Sequence, residues 1–258
     1  MKVTSEEFNL IKELLPKQRG NVTISNLQVI NAVLYVAEQG CKWRALPKKF
    51  GNWHTIYTRM NRWAKQGVLD EVFSELQAND IMNIQVEHVS VDSTAVKVHP
   101  DGTGALKKNG PQSIGKSRAG WTTKIHMVAA NEKTAVTFSL SPGQTGDAPE
   151  GRKLLKTLEN QGWEGTHVIM DKAYEGDDTL QLVLDLEMIP VVPPKSNRVT
   201  KWDYDKALYK KRNEVERLFR RLKGFRRIFS RFDKLDVVFL FFINFALITD
   251  TLISVNRP

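Results

Sequence analysis

The sequence predicts an α/β fold: a mixed sheet flanked by helices, preceded by a small all-helical segment. Two patterns carry this prediction. Over residues 1–80 the apolar side chains recur at helical spacing, whereas from residue 86 they alternate as in a strand. Three strand-like segments then follow one another before helix- and strand-like segments begin to alternate, the order of a mixed sheet with helices on its faces. The change of period divides the chain into 1–80 and 86–258.

The elements read in order. Thr4 with Glu7 fits a capping box opening a first helix. In "ISNLQVINAVLYVAEQG" one face holds Leu27, Ile30, Leu34 and Ala37, and Gly40 ends the helix. After the turn-rich "GCKWRALPKKFGN", Asn52 caps a helix with Ile56, Met60 and Trp63 on one stripe and Arg59, Arg62 and Lys65 elsewhere on it. Helix, turn and basic helix is compatible with helix-turn-helix DNA binding, with Arg59 and Arg62 as the contacts. From residue 86, "VEHVSVDSTAVKVH" alternates with Val89 and Val91 on one face and Ser90, Asp92 and Thr94 on the other. "TTKIHMVAA" and "TAVTFSLS" are two further strands, joined by a turn at Asn131, Glu132 and Lys133. Helix 147–162, strand 166–171, helix 176–188 and strand 189–194 follow, then a basic helix over 209–227 and an apolar one over 237–255.

The chain has 258 residues, 41% hydrophobic and 26% charged, ordinary values for a folded protein. Its net charge of +9 is unevenly spread: +3 over 1–85, −1 over 86–199 and +7 over 200–258. A positive field concentrated at one end points to a polyanion, with nucleic acid the first candidate. The lone Cys41 excludes a disulfide framework and suits a reducing cytoplasm. Acids near the N-terminus argue against a signal peptide. The apolar run 237–255 is long enough for a membrane span, but Asn244 and Asp250 within it favour a buried helix, so no membrane partner is expected.

Two further patterns are set aside. "GPQSIGKS" (110–117) matches the phosphate-loop letters, but that loop needs a strand before it and a helix after it, and neither is predicted. A basic loop over 101–120 is expected instead, meeting DNA through Lys107, Lys108, Lys116 and Arg118, with no nucleotide cofactor. The five histidines have no paired metal-ligand spacing.

The carboxylates say more. Asp92 stands mid-strand, where a charge is costly without a partner or a metal. Asp171 ends the apolar strand "HVIMD", the position where open sheets carry ligands. With a helical glutamate they would make an oxygen-rich pocket suited to Mg²⁺, and two such ions can serve phosphodiester chemistry. At roughly 100° per residue, Tyr209, Arg212, Glu216 and Lys223 share an arc of about 60°, while Glu214 points about 160° from Glu216. Glu216 is therefore the candidate, and Glu214 is expected to face away without a role. The alternative is that Glu216 only pairs with Arg212 and Arg220 along the helix, worth a few tenths of a kcal/mol.

The spacing Y-x2-R-x3-E-x6-K met by Tyr209, Arg212, Glu216 and Lys223 resembles the C-terminal signature of DDE transposases of bacterial insertion sequences. "VDST" at Asp92 and "DKAYEG" at Asp171 resemble their two aspartate motifs, and "GCKWRALPKKFGNWHTIYTRMNRW" resembles the N-terminal domain of a compact branch. The resemblance implies an RNase H-like catalytic domain with Asp92, Asp171 and Glu216 as catalytic residues holding two Mg²⁺ ions, Mn²⁺ substituting. It implies cleavage and joining of double-stranded DNA at element ends, by a homodimer on paired ends, in the bacterial cytoplasm at the nucleoid. Arg212 and Lys223 would hold backbone phosphates, and Tyr209 would pack near the end. Arg217, Arg220, Arg221, Arg226, Arg227 and Arg231 would track the flanking duplex. Only 44 residues separate Asp171 from Glu216, so the large β insertion of some relatives is absent. The alternatives are an RNase H-like nuclease without strand transfer and a DNA-binding regulator with a vestigial site.

Overall fold

The computed structural model describes residues 1–83 and 86–255, so residues 84 and 85 of the expected break and the last three residues of the second segment lie outside the described residues. The chain forms two compact units. One comprises Met1–Asp80, Val98–Gln112 and Leu222–Pro258, and the other comprises Ile81–Lys97 and Ser113–Arg221. This grouping by packing differs from the division of the chain at residue 86. The C-terminal helices, expected with the sheet, group with the N-terminal ones because a helix apolar on nearly every face needs apolar neighbours all round.

In the helical unit, α1 (Ser5–Asn9) opens with the Thr4–Glu7 capping box, and α2 (Asn26–Gln39) with a second box between Ser25 and Gln28. Gly40, in the left-handed region at φ 62°, ends α2 where a side chain would be strained. Two 3₁₀ turns, Trp43–Ala45 and Lys48–Phe50, separate α2 from α3 (Trp53–Gln66). That link is longer than the roughly 3–4-residue turn of a helix-turn-helix. α3 carries its expected stripe, with Ile56, Met60 and Trp63 buried, and α4 (Val68–Asn83) follows after Gly67.

The sheet unit begins with β1 (His88–Val98), which pairs antiparallel with β3 (Gly120–Ala129). The outer edge of β3 carries the short β2 (Gly115–Ser117) and then β4 (Ala135–Pro142). The turn between β3 and β4 is closed by Asn131, whose side chain accepts from the Lys133 and Thr134 N–H groups. After α5 (Asp147–Lys156) the chain returns as β5 (His167–Met170), parallel to β1 on its free side. α6 (Asp177–Asp185) leads to β6 (Ile189–Val191), parallel to β5. Three antiparallel strands followed by two parallel ones, in the order β2-β3-β1-β5-β6 with β4 beside β3, is an RNase H-like sheet. Val89, Val91, Val168 and Met170 on one face pack with Leu154, Leu155 and Val183 of α5 and α6.

The basic segment is not one helix over 209–227. It consists of α7 (Lys206–Tyr209), a 3₁₀ turn (Lys210–Arg212), α8 (Asn213–Lys223) and, after Gly224, α9 (Arg226–Phe229). The two-residue β7 (Ser230–Arg231) then leads to α10 (Asp236–Val255). α10 is, among the described residues, the one helix long and apolar enough to cross a membrane, yet 72% of its 18-residue apolar window is buried inside the protein. Its Asn244 is 2% exposed and donates to Asp70 of α4, which explains a polar residue in that run.

Candidate active site

Side-chain parity on β1 sorts the site. Odd residues from Val89 face the α5–α6 core, and even residues face the side that α8 covers. α8 turns Val215, Leu218, Phe219 and Leu222 inward, all buried. Glu214 and Glu216 flank Val215, each about 100° from it, so both edges of the helix border the strand.

Asp92 projects on the even side in mid-strand. Its side chain is 17% exposed, and its Oδ1 accepts from the Ser93 N–H at 2.7 Å. The parallel register pairs Val91 with Met170, and one step further along sets Asp92 beside Asp171. Asp171 caps the 3₁₀ turn Lys172–Tyr174, its Oδ1 accepting from the Lys172 N–H at 2.5 Å. Arg212 joins the third acid to the first. Its Nη1 donates to Asp92 Oδ2 at 3.0 Å, and its Nη2 donates to Glu216 Oε1 at 2.5 Å. Glu216 is the most open of the three positions in this chain of contacts, its side chain 39% exposed.

The electrostatics match this geometry. Burial pushes the Asp92 carboxyl up to about 6, against the pull of the Ser93 N–H and Arg212, and nearby Asp171 and Glu216 push it further up. Burial alone would lower the Arg212 guanidinium, but Glu216, Asp92, Tyr209 and Asp171 outweigh it and hold its pKa above the ordinary value. The Tyr209 hydroxyl is raised, mainly by burial, and lies within electrostatic reach of Arg212 and Asp171. Its ring packs edge-on against Tyr204 at 5.5 Å. Lys223, the last residue of α8, has its ammonium pKa lowered by burial.

Among the described residues no three His, Cys, Asp or Glu side chains already stand at metal-holding positions. The donor set is nonetheless right for a hard cation: three carboxylates and no nitrogen or sulfur ligand. A guanidinium already occupies the space between two of them, so a positive charge is stable there.

The structure brings Asp92, Asp171, Glu216, Arg212 and Tyr209 together and leaves other candidates elsewhere. Arg59 and Arg62 line a cleft of about 310 Å³ in the helical unit with Lys17 and Arg19, and Arg59 donates to the Ile24 carbonyl at 2.8 Å. Lys116 is exposed on β2 and Arg118 is exposed in the turn after it, so a strand follows the "GPQSIGKS" letters. Lys107 and Lys108 are exposed in a 3₁₀ turn. Arg220 and Arg226 are exposed, Arg221 is half-buried, and Arg217 pairs with Glu132 at 2.6 Å.

Two expectations are corrected. Arg227 and Arg231 do not track a duplex, because both are buried, at 6% and 0% exposure. Arg227 pairs with Asp233 at 3.1 Å and lies over the Phe232 and Phe242 rings. Arg231 pairs with Asp236 at 2.8 Å over the Phe239 ring. Glu214 is not idle either. Its Oε2 lies 3.0 Å from Nε2 of the buried His88 at the start of β1. A carboxylate only accepts, so this pair sets the imidazole proton on Nε2.

Sequence reasoning also missed a support behind Asp92. Asp147 Oδ1, at the start of α5, accepts from Ser93 Oγ at 2.7 Å and from Lys124 Nζ at 2.8 Å. Gly151 lies against the Tyr174 ring, where a Cβ would collide, and this lets α5 approach the turn that Asp171 caps. An acid at a helix start reads as ordinary capping, so only the strand parity of Ser93 and Lys124 carried a signal.

Comparison with known proteins gives a consistent answer. The family model described as "Transposase DDE domain" matches residues 85–249, and "Putative transposase of IS4/5 family" matches residues 3–73. The chain is 33% identical over 129 residues to "Putative transposase for insertion sequence element IS6501" of Brucella ovis, covering 48% of this chain and 94% of that protein. It is likewise 33% identical over 108 residues to "Uncharacterized protein y4sN" of Sinorhizobium fredii, covering 41% of this chain and 83% of that one. Among solved structures it is similar to the piggyBac transposase synaptic complex with hairpin DNA, at TM-score 0.43 and 11% identity over 98% of this chain and 71% of that one. It is also similar to the Mos1 mariner paired end complex with Mn, at TM-score 0.32 and 9% identity over 97% and 86%. The fold assignment rests on the strand order, not on these distant likenesses.

Proposed function

This chain belongs to the transposase DDE domain family, and from that premise we propose that it binds the terminal repeats of a bacterial insertion sequence, cuts the DNA there and joins the freed 3′ end to target DNA at the pocket of Asp92, Asp171 and Glu216. The observation that supports this pocket is the Arg212 fork between Asp92 and Glu216, with Asp171 on the neighbouring strand.

The three carboxylates would hold divalent cations, two Mg²⁺ with Mn²⁺ as a substitute. Bound there, such ions activate an attacking water or 3′-OH and offset charge at the leaving oxygen. The chain's own residues do the rest. Ser93 N–H and Arg212 orient the two oxygens of Asp92, and the Lys172 N–H orients Asp171. Arg212 and Lys223 hold phosphates of the end, and Tyr209 packs beside them. Arg217, Arg220, Arg221 and Arg226 take the flanking backbone, while Lys107, Lys108, Lys116 and Arg118 add further phosphate contacts. Arg59 and Arg62, with the cleft they line, take the terminal repeat. Two copies pair the two ends, and the setting is the bacterial cytoplasm.

The test incubates the protein with labelled duplex carrying its own element end, supercoiled plasmid and Mg²⁺. Wild type should release a 3′-OH end and join it to plasmid, and Glu216→Gln should do neither while keeping its fold and its affinity for the end. Cleavage without joined product would make the protein a nuclease, and an active Glu216→Gln variant would remove Glu216 from the site.

A further inference from the structure

Arg212 stands in a position that a purely DNA-contacting residue would not need. Its planar fork spans Asp92 and Glu216 at 3.0 and 2.5 Å, so both terminal nitrogens are engaged by acids rather than left free for an incoming phosphate. With Asp171 beside them, three like charges meet in one partly buried pocket, and Arg212 is the cation hydrogen-bonded across two of them. The backbone at Arg212 is a 3₁₀ turn between two α-helices, Lys210–Arg212 between α7 and α8. A stretch of 3₁₀ inside a helical run has poorer hydrogen bonding and often marks a hinge. A counter-ion bridging two acids and a weak point in the helix that carries it therefore coincide at one residue.

We propose that Arg212 is the built-in counter-ion of the carboxylate pocket: it holds Asp92 and Glu216 in place while the pocket lacks a divalent cation, competes with that cation for the same oxygens, and on exchange swings out about the 3₁₀ turn to take a DNA phosphate. Arg212 is thus a positioning residue before the exchange and a DNA contact after it. One consequence is ordering. A phosphate near the pocket draws the guanidinium away from the acids, so DNA and cation favour each other's binding, and by linkage the effect is reciprocal. The inference rests on the proposed reading of the pocket as a divalent-cation site.

The experiment measures Mn²⁺ binding to the full-length protein without DNA at pH 8, from the loss of the free-ion electron paramagnetic resonance signal. Arg212→Gln removes the competing charge and should bind Mn²⁺ at least about tenfold more tightly than wild type, a factor equal to about 1.4 kcal/mol. Arg212→Lys keeps the charge but lacks the planar fork that fixes both acids, and should fall between the two. Arg152→Gln, whose side chain bonds Thr179 away from the pocket, should match wild type. Circular dichroism of each variant verifies the fold. In EDTA the Arg212→Gln protein should melt below wild type and gain more than wild type on adding Mn²⁺, which a merely structural arginine would not produce. A folded Arg212→Gln protein binding Mn²⁺ equally or more weakly than wild type overturns the exchange and leaves the metal-site reading standing. No Mn²⁺ binding by either protein overturns both.

Discussion

Replacing Asp92 by Asn isolates the charge that the pocket holds at greatest cost. Burial and the two neighbouring carboxylates raise its carboxyl from 3.8 to about 6, in spite of the Ser93 N–H at 2.7 Å and Arg212 at 3.0 Å. A shift of about 2 pH units at about 1.36 kcal/mol each makes ionised Asp92 cost the folded state about 3 kcal/mol. Its side chain is only 17% exposed, so solvent screens little of this. For an acid whose pKa is raised by folding, the unfolded chain loses its proton first. Stability from this group is therefore greatest below about pH 4, falls as pH rises towards 6, and is flat above. The unfolded carboxyl is already ionising at pH 4.5, so about 2 kcal/mol of the 3 should be lost between pH 4.5 and 8. Asn cannot ionise and should not lose it. In EDTA, the stability of Asp92→Asn relative to wild type should rise by about 2 kcal/mol between those pH values, read from urea unfolding followed by tryptophan fluorescence. A difference that stays constant with pH would refute the reasoning, because the cost would then not be ionisation of Asp92.

Glu214→Ala strips the buried His88 of its acceptor and should lower stability by about 1–3 kcal/mol and slow DNA cleavage without abolishing it as Glu216→Gln does; an unchanged urea melt would return Glu214 to the solvated role the helix angle alone suggests. Arg231→Ala removes the buried guanidinium that pairs with Asp236 and should cost about 3–5 kcal/mol, whereas Arg220→Ala, on the exposed face, should change stability by less than about 0.5 kcal/mol and instead reduce the salt dependence of DNA binding by about one charge. Equal melts for the two arginine variants would contradict the assignment of Arg231 to the interior.

Much of the architecture was legible because it depends on local pattern. The period change at residue 86, the caps at Thr4 and Asn52, Gly40 as a stop and the Asn131 turn are all decided by neighbours in sequence, and each appears in the structure. The carboxylates were legible for a related reason. A charge mid-strand and another at a strand end are exceptions to burial, and helical angle singled out Glu216. What was not legible depends on how the chain turns after a helix ends, and on which elements meet. Arg227 and Arg231 look like the solvent-facing arginines before them; Gly224 is a local stop signal, but the pattern does not say that the chain then folds back to pair Arg227 with Asp233 and Arg231 with Asp236. The grouping of the chain into units was hidden likewise, because apolar helix 237–255 shows that it needs a partner but not which one.

The two glutamates of α8 show how a correct angle can support an incomplete conclusion. They do point about 160° apart, and that separation alone predicts no role for Glu214. The inward direction, however, is set by Val215 between them, and a helix lying on a strand has two borders with it. Glu214 is on one border and meets His88 at the start of β1; Glu216 is on the other and is joined through Arg212 to Asp92, four residues further along. Each contact alone would let the helix roll about its axis. Roll towards one border opens the other, so the two together fix the rotation, with the buried Val215 and Leu218 turned inward between them. The presentation of Glu216 to Asp92 therefore depends on a hydrogen bond on the opposite flank of the helix. Glu214 is thereby a structural determinant of the proposed carboxylate pocket although it touches none of the three acids in it.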